Sequence, residues 1–188
     1  MQNKRGISQA FSQACFQSFS QGMSSPRPED VLLLRPATVF DVFEISEVLV
    51  ASIGQLCQSD HGNEPKHLSH WCANMAPGDI RDWIAAGQIP TVAVAQGRIV
   101  ALGLATQLGE IAHLYVAPWA KSHGVGRVLL SRLEAQLVAL GHGEGHLVST
   151  KTAHGFYLAQ GWKSAGEGLS PHFGLWGHVM RKVLQAER

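Results

Sequence analysis

Between Glu110 and Leu130 the chain reads E-I-A-H-L-Y-V-A-P-W-A-K-S-H-G-V-G-R-V-L-L, which sets a strand, a sharp stop and a helix in direct succession. The β-favouring residues Ile111, Leu114, Tyr115 and Val116 predict the strand, and Pro118, which has no N–H to give a ladder, ends it. Past Gly126 a helix is predicted. Val128, Leu129, Leu133, Gln136, Leu137 and Leu140 include an apolar stripe, Arg127, Arg132 and Glu134 fall on other faces, and Gly141 marks the stop. The connecting residues Lys121, Ser122, His123, Gly124, Val125 and Gly126 let backbone amides turn toward one point, at the positive end of the helix dipole. Such a glycine pair serves either a plain tight turn or a phosphate cradle. It is not a P-loop, because no Gly-Lys-Ser/Thr follows, and the dinucleotide fingerprint G-x-G-x-x-G is incomplete.

Composition narrows what such a cradle can serve. The chain has 188 residues, 15 basic against 14 acidic, which suits one globular domain and lacks the electrostatic footprint of general nucleic-acid binding. Small or weakly charged partners fit better. Cys15, Cys57 and Cys72 form no C-x-x-C pair, and an odd count suits a reducing cytoplasm. The ten histidines show no H-E-x-x-H or tight Cys/His spacing, so no metal is expected, and no apolar run approaches the ~20 residues of a membrane span. Residues 1–28 are Ser- and Gln-rich with no acid, and Ile7, Phe11, Cys15 and Phe19 recur at helical spacing. They read as an extension ahead of a domain at 29–188, with Met23 as an alternative start and an organelle presequence as the other reading.

The rest of the chain predicts alternating elements. Val31 to Leu34 is a short strand, closed by Pro36, and Val42, Ile45, Leu49 and Ile53 mark one face of a helix from Val39, opened by a capping-box-like Thr38 and Asp41. A turn cluster at Ser59 to Asn63 precedes two short helical patterns, Lys66 to Met75 and Asp79 to Ala86, which carry Trp71 and Trp83 as core or pocket wall. A hairpin turning at Gln96-Gly97 leads to the strand at Glu110. After the long helix come a strand at His146 to Ser149, a short helix from Thr150, and a closing hairpin within Lys163 to Val183.

Two of these segments carry a family resemblance. Val116-Ala-Pro118 followed by Lys121-x-x-Gly124-x-Gly126 and a long helix resembles the first signature of the GNAT acyltransferase superfamily, with Lys121 where Arg or Gln is usual. Thr150-x-x-Ala153-x-x-Phe156-Tyr157-x-x-x-Gly161-Trp162 resembles the second, with Thr150 in place of Asn and Trp162 in place of Phe. Leu34-Arg35-Pro36-Ala37-Thr38-x-x-Asp41 is similar to the family's opening strand and helix, so the likeness covers about residues 31–184. It implies an α/β (α+β) fold: a mixed, mostly antiparallel sheet of six to seven strands, flanked by about four helices, with a splayed strand pair for acyl-CoA. The implied activity is direct, metal-free transfer from acetyl-CoA to a primary amine of a small or amino-acid-like acceptor in the cytoplasm. Protein or peptide N-acetylation and a non-catalytic acyl-CoA-binding module are the alternatives, and the chain would act as a monomer or a homodimer.

The resemblance also assigns roles. Pyrophosphate would sit on the amides of Gly124, Val125, Gly126 and Arg127, with Lys121, Ser122 and His123 beside it. Pantetheine would pair with Leu114, Tyr115 and Val116, and the Leu114 N–H would polarise the acetyl carbonyl, a stabilisation of about 3 kcal/mol. Thr150 keeps one hydroxyl for a cofactor contact but lacks the amide of Asn. Tyr157 is placed to protonate the leaving sulfur. Glu110 stands first as base, sharing a face with Ala112, Leu114 and Val116 by period two. A free carboxylate with a pKa of ~4.3 is a poor base toward an ammonium, so that role needs burial that raises it, or a water relay. His113 has the opposite parity and ranks behind Glu110, beside Asp60 and His61, which would hold or deprotonate an amine unless Asp60 only caps a turn.

Overall fold

The computed structural model describes residues 32–185; the expectations for the N-terminal segment, including Cys15 and Met23, lie outside them. Strand β1 (Leu33–Pro36) leads to helix α1 (Val42–Leu56), then three short helices, α2 (Gln58–His61), α3 (Pro65–Trp71) and α4 (Pro77–Ala85). Strands β2 (Thr91–Ala95), β3 (Arg98–Ala105) and β4 (Ile111–Val116) follow, and a 3-10 turn at Pro118–Ala120 carries the chain into α5 (Val125–Ala139). The chain ends through β5 (Glu144–Ser149), α6 (Lys151–Ala159), β6 (Lys163–Leu169) and β7 (Trp176–Val183). The six α-helices exceed the four expected because the segment after α1 breaks into three short pieces.

The seven strands form two antiparallel sheets, β1-β2-β3-β4 and β5-β7-β6. They meet at one end only, where Glu110 and His146 form a single parallel bridge and the His146 N–H donates to the Gly109 carbonyl at 3.0 Å. Beyond that bridge β4 and β5 pair no further, so the facing edges diverge toward Val116 and Ser149. This is the splayed pair expected from the sequence.

Packing explains why the first sheet is rigid there. Ile99 to Leu104 of β3 are buried in an unbroken run, as expected for a strand covered on both faces. Helix α1 supplies Val42, Ile45, Leu49 and Ile53, all fully buried, and α5 supplies Leu129, Leu133 and Leu137. Val128 and Leu140, which the apolar pattern included, sit at the exposed rim. Gly103 is where α5 presses closest: a Cβ there would lie 2.6 Å from Leu133 Cδ1. The two sheets are tied through Glu134 of α5, which accepts from Trp162 Nε1 and Lys182 Nζ, each at 2.8 Å.

Two details depart from expectation. Helix α1 begins at Val42 and not Val39, because the Asp41 carboxylate folds back onto the Thr38 N–H (2.7 Å) and a bidentate Arg35 (2.7 and 2.8 Å). That pairing holds its pKa at about 2. The hairpin turn is as predicted, with Gln96 and Gly97 at φ of 52° and 74°, the left-handed pair of a type I′ turn.

Candidate active site

The gap between β4 and β5 opens into a cavity of about 400 Å³. One wall is β4, through Leu114, Tyr115 and Val116; the opposite wall is Ser149 with Thr150, Phe156 and Tyr157 from α6. Ser52 of α1 and Cys57, which caps its C-terminus, line it as well, and Phe173 contributes from the loop between β6 and β7. The Cys57 thiol is pushed up to about 12 by burial, so it stays protonated and inert.

The glycine loop lies on the wall formed by Lys121, Ser122, Gly124, Gly126 and Arg127. Ser122 and Gly124 both adopt left-handed backbone, at φ of 68° and 78°, which folds the loop tightly before the helix. Gly124 is the N-cap of α5, and its carbonyl accepts the N–H groups of Arg127 (3.1 Å) and Val128 (3.2 Å). The first amides of a helix have no preceding turn to bond. Among the described residues the N–H groups of Gly124, Val125 and Gly126 are left for other acceptors, while the Arg127 N–H, expected to join them, is already committed. A Cβ at Gly126 would make ordinary van der Waals contact with Val116 Cγ2 at 3.4 Å and the Phe156 ring at 3.6 Å. The Val125 side chain is core, and His123 lies exposed outside the cavity with Nδ1 2.8 Å from the Lys121 carbonyl oxygen.

Thr150 caps α6, its Oγ1 accepting the Ala153 N–H at 3.1 Å, so its hydroxyl proton remains to donate. Asp60 caps the same helix end from α2. Its carboxylate accepts the Lys151 N–H (2.6 Å), the Thr152 N–H (3.3 Å) and the Thr152 hydroxyl (2.5 Å). His61 is 1% exposed, with Nδ1 accepting the Asn63 N–H and Nε2 3.2 Å from the Ile53 carbonyl oxygen. Asp60 and His61 thus line no part of the cavity, and the hydrogen-bonding atoms of both are engaged elsewhere.

Tyr157 is almost fully buried on the cavity wall, edge-on to Phe156 and Trp162. Burial raises its phenol pKa above the ordinary value and keeps it protonated, the form an acid needs. Tyr115 is likewise raised and accepts from Trp71 Nε1 at 2.9 Å.

At the narrow end of the splay the parity argument needs correction. Across β3 and β4, Leu104 pairs with His113 but Ala105 with Ile111, so Ala112 is the extra residue of a β-bulge. The bulge breaks the period of two, and Glu110 and His113 both reach one residue, His172. Glu110 Oε1 accepts from His172 Nε2 at 2.9 Å, and the His113 ring stands edge-on to His172 with centroids 5.1 Å apart. The shift expected of a basic Glu110 is also reversed. Burial does raise its pKa, but the His172 hydrogen bond outweighs burial and leaves the carboxyl below its usual range. His113 stacks on Trp83 with centroids 5.0 Å apart, its Nδ1 is buried with no partner, and burial beside His172 drops its pKa to about 3.

His172 and Phe173 carried no signal in the sequence. They occupy a turn pinned at Ser170, whose hydroxyl accepts the His172 N–H and whose carbonyl accepts the Gly174 N–H. A Gly- and Pro-rich stretch announced that turn, but nothing in linear spacing tied it to Glu110, 62 positions earlier.

Two antiparallel sheets splayed around a cavity, with a glycine-loop helix start on one wall and a protonated phenol on another, define an α/β protein with a binding cleft between its strands. A sequence model of the acetyltransferase (GNAT) domain matches residues 57–184. The chain belongs to the GNAT acetyltransferase family and is an acyltransferase. Solved structures agree on the fold. The GCN5-related N-acetyltransferase of Rhodopseudomonas palustris superposes with a TM-score of 0.72 at 24% identity, over 87% of this chain and 99% of that one. The PaiA N-acetyltransferase of Thermoplasma acidophilum, in complex with coenzyme A, gives 0.67 at 16% identity, over 81% and 99%. A phosphinothricin acetyltransferase of Sinorhizobium meliloti, in complex with acetyl-CoA, gives 0.60 at 21% identity, over 81% and 88%. A search of curated protein sequences found no match. Among the described residues no helix is long and apolar enough to cross a membrane, and no group of three or more His, Cys, Asp or Glu side chains is placed to hold a metal ion.

Proposed function

We propose that the chain transfers an acetyl group from acetyl-CoA directly to the primary amine of a small or amino-acid-like acceptor. The observation that carries this reading is the cavity between β4 and β5, which is lined by the glycine loop and by a buried, protonated Tyr157. Solved relatives of this fold hold coenzyme A or acetyl-CoA. Acetyl-CoA supplies the activated thioester, and the chain supplies the rest.

The amides of Gly124, Val125 and Gly126 receive the pyrophosphate, with the positive end of the α5 dipole behind them. Lys121 adds a point charge in the place where a planar fork is usual in the family. The backbone of Leu114 to Val116 orders the pantetheine arm, and the Leu114 N–H is aimed at the oxygen where charge develops. The amine nitrogen bonds to the acetyl carbon and the carbon–sulfur bond breaks. Tyr157 gives its proton to the departing sulfur, and the proton shed by the amine leaves by the Glu110 end of β4. The free thiols Cys57 and Cys72 suit a reducing compartment, and the cytoplasm is the location we assign.

The test uses the full chain in a thermal-shift assay with acetyl-CoA, followed by thiol release across panels of small amines and of peptides. Stabilisation with thiol release on small amines is the expected result. Release on peptides alone would move the acceptor class to protein amines. Stabilisation without any release would reduce the chain to an acyl-CoA-binding module, and no stabilisation would sink the cradle.

A further inference from the structure

We infer that His172 is the general base of the transfer and that Glu110 is its positioning residue, an assignment that rests on the acetyl-transfer reading above. Three observations on one end of β4 carry it.

First, the pair has a defined direction. Glu110 is ionised, so it only accepts, and the proton of their 2.9 Å hydrogen bond belongs to His172 Nε2. That fixes the neutral tautomer and leaves the Nδ1 lone pair exposed to a proton. Among the described residues Nδ1 has no partner, and it is not one of the buried orphan atoms, so it faces open space. A carboxylate holding one ring nitrogen so that the other works as base is a general acid–base arrangement.

Second, the pair sits beside the cavity through its chain neighbours, although neither Glu110 nor His172 itself lines it. Ile111 and Ala112, which follow Glu110, and Phe173, which follows His172, all line it. The His172 loop is held rather than loose, through Ser170, which is 1% exposed, and through Phe173, which packs on Trp71 with centroids 5.0 Å apart.

Third, the competing groups are spent. His113 is clamped between Trp83 and His172, and its buried ring has no route to an acceptor. Asp60 and His61 are fully engaged at α6 and in the core. The charged and titratable groups facing the pair are His113 of β4 and His146 of β5. The step balances with the acceptor as the neutral amine: its nitrogen bonds the acetyl carbon as the carbon–sulfur bond breaks, one N–H proton passes to His172 Nδ1, and Tyr157 protonates the departing sulfur. After turnover the imidazolium gives its proton to water while the phenolate regains one.

The experiment measures kcat/KM for an accepted amine against pH in the full chain, its His172→Ala and His172→Gln variants, and Glu110→Gln. Acetyl-CoA affinity is measured by calorimetry in each, as a check on folding. His172→Ala is expected to lose roughly 100-fold in kcat/KM, to lose the acidic limb of the pH profile, and to regain rate with added imidazole, at unchanged acetyl-CoA affinity. Nitrogen-15 NMR of the wild type should show the Nε2–H tautomer at His172, and Glu110→Gln should perturb it together with the acidic limb. An active wild type with an unaltered rate and profile in both His172 variants would overturn the assignment alone, as would an Nδ1–H tautomer. A wild type that binds acetyl-CoA yet acetylates no amine would overturn the acetyl-transfer reading, and the assignment with it.

Discussion

The two ends of the cavity are built in different ways. At the proposed phosphate end, six consecutive residues from Lys121 to Gly126 shape the wall mainly through backbone, with Ser122 and Gly124 both in left-handed conformation. Beside the other end, the proposed acceptor end, Glu110, His113, Trp83 and His172 come from three separate stretches and meet through their side chains. On the acetyl-transfer reading proposed above, the first design would serve a feature every acyl-CoA shares, and the second would be free to change with the acceptor. Tyr157 belongs to neither end: it reaches the cavity from α6, where donor and acceptor chemistry meet.

That intermediate position gives the largest predicted effect. Tyr157→Phe removes only the phenolic oxygen from a well-packed ring, so turnover should fall about 100-fold while acetyl-CoA affinity stays within a factor of two. Single-turnover thiol release and calorimetry on the same samples read the two quantities. An unchanged rate removes Tyr157 as acid and leaves the sulfur to depart as thiolate.

The phosphate end breaks through its backbone. Gly124 sits at φ 78°, where a side chain costs about 1–2 kcal/mol, although the only heavy atom within 4 Å of a Cβ there is Arg127 Nη2, at 3.6 Å. Gly124→Val should therefore weaken acetyl-CoA roughly tenfold, by calorimetry, with little change in turnover of the bound complex. A variant that binds as tightly as wild type would show that the loop tolerates other geometries and that amides elsewhere hold the phosphates.

This contrast also explains what the sequence revealed. The hairpin order and the loop could be read because each is written in neighbouring residues, while the splay came only with the family resemblance: Pro118 stops a strand, Gly124 permits a turn, and Leu129, Leu133 and Leu137 seat a helix. The acceptor end could not be read in the same way. One bulged residue, Ala112, reversed the face of everything before it, and His172 meets Glu110 only because β7 brings the closing loop back beside β5. Asp60 is hard to place for a related reason: an acid before His61 suggests amine chemistry, yet its partners in the fold lie ninety-one and ninety-two positions away, at the start of α6.

A pH titration of stability probes the acceptor end directly. His113 titrates at about 3 in the folded chain but near 6.5 when unfolded, so below pH ~6.5 the unfolded state binds a proton that the native state refuses. Stability should fall as pH drops from 6.5 toward 3, by up to about 1.4 kcal/mol per pH unit. Glu110, whose folded pKa is depressed, works in the same direction but in a lower window. Its contribution is present above ~4.3 and is lost as pH falls through its folded value. Urea midpoints between pH 7 and 5 isolate the histidine, and His113→Phe should flatten that slope. A slope unchanged by the substitution would mean that His113 is not held neutral by its burial.

The smallest effect separates structure from chemistry at Asp60. As the cap of α6 it holds the Lys151 and Thr152 amides, and Asp60→Ala should cost about 1 kcal/mol of stability. Because α6 carries Thr150 at its cap and Tyr157 along its length, turnover should drop modestly, with KM for the acceptor unchanged. Asp60→Asn keeps an acceptor oxygen and should restore most of the stability and the rate together. If instead KM for the amine rises tenfold in both variants while the melting temperature stays put, Asp60 binds the acceptor's charge. The acceptor end would then reach across the N-terminus of α6, and the division between a backbone-built and a side-chain-built end would fall at Thr150 rather than at Tyr157.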